Sequence, residues 1–144
     1  MAIWFNEFPL RYAQERGRGT LIEHLGIELL EAGEDYLRAR MPVNAHTRQP
    51  AGMLHGGASV TLAETLASWA ATFCVDPGRH HCVGIEINAN HLRPIAEGHV
   101  YGTARPVSLG KTLQVWEVRI SNEQEKLVCI SRVTMAVLSA ASQY

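Results

Sequence analysis

One carboxylate stands alone in a long uncharged stretch of this chain. Between Arg48 and Asp76 the only permanently charged side chain is Glu64. The surrounding residues predict a single long helix over 56–73, which begins at two glycines. A helix that is apolar around most of its circumference is normally buried, and an unpaired carboxylate is costly to bury. We therefore expect this acid to have a partner or a function.

Helical spacing gathers the polar residues of this helix into one narrow stripe. At about 100° per residue they fall within a wedge of about 100°, and the stripe consists of Thr61, Glu64, Thr65, Ser68 and Thr72. Thr61 and Ser68 lie one turn on either side of the acid, within hydrogen-bonding reach of its carboxylate. The stripe is either a solvated face with one surface acid or a reactive face. The absence of lysine and arginine from the stripe favours the second interpretation.

The rest of the chain predicts an antiparallel sheet. Residues 9–25 indicate a short helical segment, and period-two patterns then indicate strands at 27–30, 36–41, 83–91, 100–107, 112–120 and 127–138. Runs of strands without intervening helices imply an α+β fold. We expect one domain over residues 1–144, in which a curved sheet wraps around the long helix.

Three of these strands carry more specific predictions. In the strand at 83–91, the residues expected on one face are Val83, Ile85, Ile87, Ala89 and His91. In the strand at 112–120, the apolar positions switch from Leu113 and Val115 to Trp116, which suggests a bulge or burial on both faces. The strand at 127–138 is apolar on both faces, so we expect neighbours on both of its sides.

Composition argues against several classes of protein. A net charge of −1 and a predicted pI near 6.6 offer no basic surface to nucleic acid. Three cysteines without a C-x-x-C spacing argue against disulfides and structural zinc and favour a reducing cytoplasm. Residues 58–75 are long enough to span a bilayer, but Glu64 and the hydroxyl side chains argue against it. No metal site is expected at His80 and His81, because adjacent strand residues point to opposite faces.

The start of the long helix offers hydrogen-bond donors to an anion. Gly56 and Gly57 allow close backbone approach, and free N–H groups at a helix N-terminus suit a developing oxyanion. The same residues also fit a plain turn, and His55 fits a core histidine. Gly56 and Glu64 are about 12 Å apart along the helix, whereas one reacting carbonyl needs both groups within about 3 Å. An active site that uses both therefore requires two antiparallel helices, and thus at least a dimer.

Several segments together resemble a known family. The pattern Gln49-Pro50-x-Gly52-x-Leu54-His55-Gly56-Gly57, followed by Leu62-Ala63-Glu64, resembles the hotdog-fold acyl-CoA thioesterases. Segments 83–91 and 109–116 extend the resemblance, which runs from about residue 26 to 138. It is strongest to the branch that contains 1,4-dihydroxy-2-naphthoyl-CoA hydrolases and enterobactin proofreading thioesterases.

The resemblance implies a catalytic set. Glu64 is then the nucleophile or the general base for water, and the backbone N–H of Gly56 polarises the thioester carbonyl from the neighbouring subunit. Gln49 and His55 help to hold the carbonyl, and Ser68 supports the acid or the water. No metal and no cofactor are implied, because coenzyme A is part of the substrate.

It also implies a substrate-binding set and an assembly. His91 lies near the acyl end, and the residues along the coenzyme A arm and around it are Gly84, Leu92, Arg93, Pro94, Ser108, Leu109, Gly110, Lys111, Thr112 and Leu113. The expected assembly is a homodimer that pairs into a homotetramer, with its helices turned either inwards or outwards. Aromatic or hydroxylated aryl-CoA thioesters are the expected substrates.

Three other functions are considered. A hydratase or dehydratase of acyl thioesters uses the same fold, with a histidine and an acid acting on adjacent substrate carbons. A non-catalytic acyl-CoA-binding protein is a third possibility, although such sensors usually carry an appended regulatory domain. A serine-hydrolase triad is disfavoured because Ser68 lacks flanking glycines.

Overall fold

A computed structural model describes residues 1–141 of the chain. These residues form three helices and six strands. The helical segment expected at 9–25 is divided into two short helices, and the later elements follow the expected order. The elements are α1 (Leu10–Arg16), α2 (Leu21–His24), β1 (Glu28–Ala32), β2 (Leu37–Pro42), α3 (Gly56–Phe73), β3 (His80–His91), β4 (His99–Leu109), β5 (Leu113–Ser121) and β6 (Leu127–Ser139).

The strands form one antiparallel sheet with the order β1-β2-β4-β5-β6-β3. The long helix α3 packs across one face of this sheet and contacts β2, β3, β4, β5 and β6. The predicted α+β architecture, one long helix held against an antiparallel sheet, is confirmed. The strand at 127–138 also has the two expected neighbours, since β6 lies between β5 and β3.

Small side chains allow α3 to lie close to the sheet. Its sheet-facing surface is fully buried and consists of Leu62, Ala63, Leu66, Ala67, Ala70 and Ala71. Gly102 of β4 permits a close approach, because a Cβ atom there would lie 2.7 Å from Cδ1 of Leu66. Each buried leucine contributes about 1.5–3 kcal/mol, so this surface fixes the helix on the sheet and leaves the polar stripe on another side.

A bulge in β3 changes the face that the sequence predicts. Gly84 pairs with Met135 and Glu86 pairs with Thr134, so Ile85 is the extra residue and is 57% exposed. A bulge reverses the inside–outside alternation of the residues before it. Gly84 therefore faces α3 together with Ile87 and Ala89, and the prediction that Val83 and Ile85 share that face is wrong.

In β5 the apolar positions of the sequence switch near Trp116, but the strand itself contains no bulge there. β5 alternates regularly, with Gln114, Trp116, Val118 and Ile120 facing inwards. Gln114 occupies a core position because its Oε1 accepts a hydrogen bond from Nε1 of Trp116 at 2.9 Å. The bulge is in the partner strand β4, at Val107.

The amino-terminal segment covers one end of α3. The N–H of Phe5 donates to the carbonyl of Phe73 at 2.9 Å, and the rings of Phe8 and Phe73 meet edge to face at 4.9 Å.

No helix among residues 1–141 combines the length and the apolar character needed to cross a bilayer.

Candidate active site

The loop that leads into α3 is held by a buried threonine. Thr47 is 1% exposed, its Oγ1 donates to the carbonyl of Pro42 at 2.8 Å, and the same oxygen accepts from the N–H of Asn44 at 3.0 Å. Its carbonyl accepts from the N–H of His55 at 2.7 Å. Gln49 and His55 therefore lie on a fixed loop between β2 and α3.

His55 caps the helix. Its Nδ1 accepts a hydrogen bond from the N–H of Gly57 at 2.8 Å, which satisfies one of the free donors of the first turn. Because Nδ1 accepts, the neutral ring carries its proton on Nε2. The side chain is exposed, so Nε2–H remains a donor for a ligand near the helix start.

The helix start, the loop and the end of β3 form a first groove of about 450 Å³, which we call the donor groove. Its lining includes Gln49, Gly56, His91, Leu92, Arg93 and Pro94. A Cβ atom at Gly56 would lie 2.9 Å from Nε2 of His91, so the glycine makes room for this imidazole. Oε1 of Gln49 accepts from the N–H of Ala51, which leaves its amide NH₂ to donate.

The polar stripe of α3 lines a second groove, of about 460 Å³, which we call the acid groove. Glu64 is half-buried there, and its Oε1 would lie 2.8 Å from a Cβ atom at Gly84. Within residues 1–141 the Glu64 carboxylate has no hydrogen-bond partner and no ion pair. The acid is therefore placed against the sheet with its oxygens available to a ligand or to water.

The neighbouring hydroxyl groups do not bind Glu64, contrary to the sequence-based expectation. Oγ1 of Thr61 donates to the carbonyl of Gly57 at 2.9 Å, and Ser68 Oγ contacts Sδ of Met135 at 4.0 Å. A helical threonine readily donates to the carbonyl four residues earlier, which accounts for Thr61. Ser68 still lies one turn from Glu64, in the same groove.

The two grooves have no lining residue in common. Gly56 and Glu64 lie on one continuous helix, about 12 Å apart along its axis. Within one chain, the structure thus joins Gln49 and Gly56 to His91–Pro94. It places Glu64 beside Gly84, and Ser68 lines the same groove as Glu64. It does not bring the donors and the acid to one point.

The remaining predicted binding residues lie on the exposed hairpin between β4 and β5, which includes Ser108, Leu109, Gly110, Lys111, Thr112 and Leu113. Leu113 pairs with Ala136, and Ala136 pairs with Val83 at the far end of β3 from His91. Eight residues of extended strand span about 26 Å. Arg93 and the hairpin are therefore well separated within one chain.

Sequence reasoning missed part of the acid groove. Trp69 and Val60 lie outside the predicted polar stripe, but both line the groove, and Trp69 stacks on Phe73 with the ring centroids 5.7 Å apart. Each flanks the polar stripe by about 40° on the helical wheel, so a wider wedge includes them. Leu21 and Ile22 of α2 also line the groove, and no signal in α3 points to them.

The cysteines near α3 are poor nucleophiles. Burial raises the pKa of Cys74 to about 12, with a smaller contribution from Cys82, and burial raises the pKa of Cys82 to about 11. Both thiols are thus protonated at neutral pH. Among residues 1–141 no group of three or more histidine, cysteine or acidic side chains is arranged to hold a metal ion.

Several known proteins are similar to this chain in sequence and in fold. Residues 51–129 match the model of the thioesterase superfamily. The 1,4-dihydroxy-2-naphthoyl-CoA hydrolase of Escherichia coli K12 is 44% identical over 136 residues, which is 94% of this chain and 99% of that protein. The proofreading thioesterase EntH of Cronobacter turicensis is 45% identical over 137 residues, which is 94% of this chain and 98% of that protein.

Comparison with solved structures also finds a thioesterase. The crystal structure of a mutant thioesterase from Pseudomonas aeruginosa superposes with a TM-score of 0.95 at 42% sequence identity, covering 96% of this chain and 99% of that one. The family model covers more than half of the chain, and the relatives span nearly all of it. The chain therefore belongs to the thioesterase superfamily and is a hotdog-fold thioesterase.

Proposed function

We propose that the protein hydrolyses acyl-CoA thioesters to a free acid and coenzyme A. The observation that carries the proposal is the half-buried Glu64 carboxylate, which has no hydrogen-bond or ion-pair partner within residues 1–141 and lines a groove of about 460 Å³ beside Trp69. An acid left without a partner in such a place is suited to attack a carbonyl or to activate water. No cofactor is required, because the thiolate of coenzyme A is a good leaving group.

The proposed reaction combines the acid of the acid groove with hydrogen-bond donors at and beside the donor groove. The Glu64 carboxylate either attacks the thioester carbon itself or takes a proton from the water that attacks it. The carbonyl oxygen becomes an oxyanion, and the free N–H of Gly56 stabilises it, aided by the Gln49 amide and by Nε2–H of His55. Collapse of the tetrahedral intermediate breaks the carbon–sulfur bond and releases the coenzyme A thiolate. If water attacked, the product is the free acid, and the proton held by Glu64 passes to the thiolate. If Glu64 attacked, an acyl–Glu64 anhydride remains, and water then hydrolyses it to the free acid and restores the carboxylate.

Two subunits complete each site in this proposal. β3 is twelve residues long and forms one edge of the sheet, with its outer backbone groups unpaired in the described chain. Long open edges readily pair with another chain, and two β3 strands related by a two-fold axis would place two α3 helices antiparallel. Each donor groove would then face the partner's acid groove, in a homodimer that pairs further into a homotetramer.

The acyl group is proposed to be aromatic or hydroxylated aromatic, with tolerance for other acyl groups. Trp69, Val60 and the α2 residues Leu21 and Ile22 give the acid groove an apolar wall, and the threonines of the stripe offer hydrogen bonds to hydroxyl groups. The Escherichia coli relative is named for a hydroxylated naphthoyl thioester. The three free cysteines support a cytoplasmic location.

A panel of aryl-, alkyl- and enoyl-CoA thioesters assayed for free thiol tests this proposal. We expect thiol release with the native protein and a loss of about 10²-fold or more in kcat for Glu64→Gln, which removes the charge and keeps the shape. Glu97→Gln, at an exposed acid in the turn before β4, is the matched control. Hydration of the enoyl-CoA without thiol release would instead indicate a hydratase, and native kcat in Glu64→Gln would exclude the acid from catalysis.

A further inference from the structure

Gly84 occupies a special position in the edge strand. It makes the last regular pair of β3, with Met135, before the bulge at Ile85. Bulges near a site re-aim the side chains around them, and this one turns position 84 towards α3. Glu64 of α3 therefore faces a glycine, Gly84, on the sheet.

The space that a side chain would fill at position 84 is filled by the acid. A Cβ atom there would lie 2.8 Å from Oε1 of Glu64, whereas the next atoms, Sδ of Met135 and Cδ of Glu64, are at 3.7 and 3.8 Å. Real Cβ atoms almost never approach another atom as closely as 2.8 Å. Only the tip of the Glu64 side chain would therefore have to move.

The backbone itself does not demand glycine at this position. Gly84 is absent from the glycines with positive φ, which are Gly19, Gly26, Gly52 and Gly98. Glycine also weakens a strand relative to residues with a side chain. The fold alone thus gives no reason for a glycine here, and the contact with Glu64 does.

We propose that Gly84 is a positioning residue, whose missing side chain lets the Glu64 carboxylate rest against β3 in its working position. The inference rests on the proposed function, because it takes Glu64 to be the reacting acid. It differs from the role on the coenzyme A arm that the family resemblance implies for this glycine. A residue on that arm would chiefly affect substrate binding, whereas a positioning residue affects the chemical step.

Replacement by alanine separates these roles. The methyl group of Gly84→Ala would displace a flexible carboxylate and no backbone atom, so we expect the protein to fold with an unchanged or slightly raised Tm. A displacement of about 1 Å at a reacting group costs about 10²-fold in rate. We therefore expect kcat to fall by about 10-fold to 10²-fold while KM changes by less than about 3-fold.

A double-mutant cycle with Glu64→Asp provides the decisive readout. Aspartate is one methylene shorter, so its carboxylate withdraws from position 84 and no longer meets the added methyl group. We expect Gly84→Ala to lower kcat by less than about 3-fold in the Glu64→Asp background, which is strong non-additivity. Gly78→Ala, in the exposed turn before β3, is the matched control and should leave kcat and KM unchanged in both backgrounds.

Three results would overturn the inference. The first is native kcat in Gly84→Ala, and the second is an equal loss of kcat in both backgrounds. The third is a raised KM with native kcat, which would place Gly84 on the substrate. Failure of the proposed function is recognised separately, because Glu64→Gln would then keep the native kcat, and the inference would fall with it.

Discussion

His55 illustrates how one side chain serves both the fold and the proposed chemistry. Its Nδ1 caps α3 through the N–H of Gly57, and the proton on Nε2 is then directed away from the helix. A histidine next to two glycines fitted either a core residue or a ligand-binding residue from sequence. The structure shows an exposed cap, so the core interpretation is wrong, whereas contact with the carbonyl stays a proposal.

Two substitutions separate the cap from the donor. His55→Ala removes both, and we expect a loss of about 0.5–2 kcal/mol in the free energy of unfolding together with lower kcat/KM. His55→Asn retains a capping oxygen, so stability should be close to native while kcat/KM remains low. Urea unfolding and thiol-release assays of both variants test this. Native kcat/KM in His55→Asn would restrict the residue to capping.

Elements whose contacts are local were predictable, and those that depend on partners were not. The predicted helix 56–73 coincides with α3, because its glycines, cap and apolar run all lie in one segment. The face of Ile85 was not predictable, because a bulge is set by the pairing of β3 with β6. The proximity of Gly84 to Glu64 was missed for the same reason, since it depends on where β3 lies along α3.

The loop before α3 offers a prediction at the scale of an element. Thr47→Val keeps the shape but leaves the carbonyl of Pro42 and the N–H of Asn44 without their buried partner, which costs about 1–3 kcal/mol. Because this loop carries Gln49 and leads into His55, we expect kcat to fall several-fold at temperatures where the protein is fully folded. Thr47→Ser retains the hydroxyl and should recover most of the native kcat. Equal kcat in the valine and serine variants would show that the threonine supports stability alone.

At the scale of the whole molecule, the candidate site is divided between the first turn of α3, which holds Gly56, and the middle of the same helix, which holds Glu64. The spacing of Gly56 and Glu64 predicted that division from sequence, and the two separate grooves agree with it. The sequence did not reveal which strand residues accompany each half. His91 and Gly84 lie seven residues apart on β3. His91 lies beside Gly56 and Gly84 lies beside Glu64, because β3 runs antiparallel to α3.

The divided site predicts complementation between two inactive variants. Glu64→Gln lacks the acid, and Gly56→Pro lacks the donor N–H, at a first-turn position where proline is tolerated in a helix. Random pairing of equal amounts makes half of the dimers mixed, and each mixed dimer holds one intact site. Refolding the two variants together should thus restore about a quarter of the native activity per chain. Gly56→Ala, which keeps the N–H, shows how much loss arises from contact with His91.

A chain that carries both substitutions gives the opposite test. When this doubly substituted chain pairs with a native chain, Glu64→Gln inactivates one site and Gly56→Pro inactivates the other. A mixed dimer therefore has no active site. Equal refolding with native chains should therefore leave about a quarter of the activity of an all-native sample, whereas sites contained within single chains would leave about half. Activity near half, or no recovery in the first mixture, would show that each chain builds its site alone.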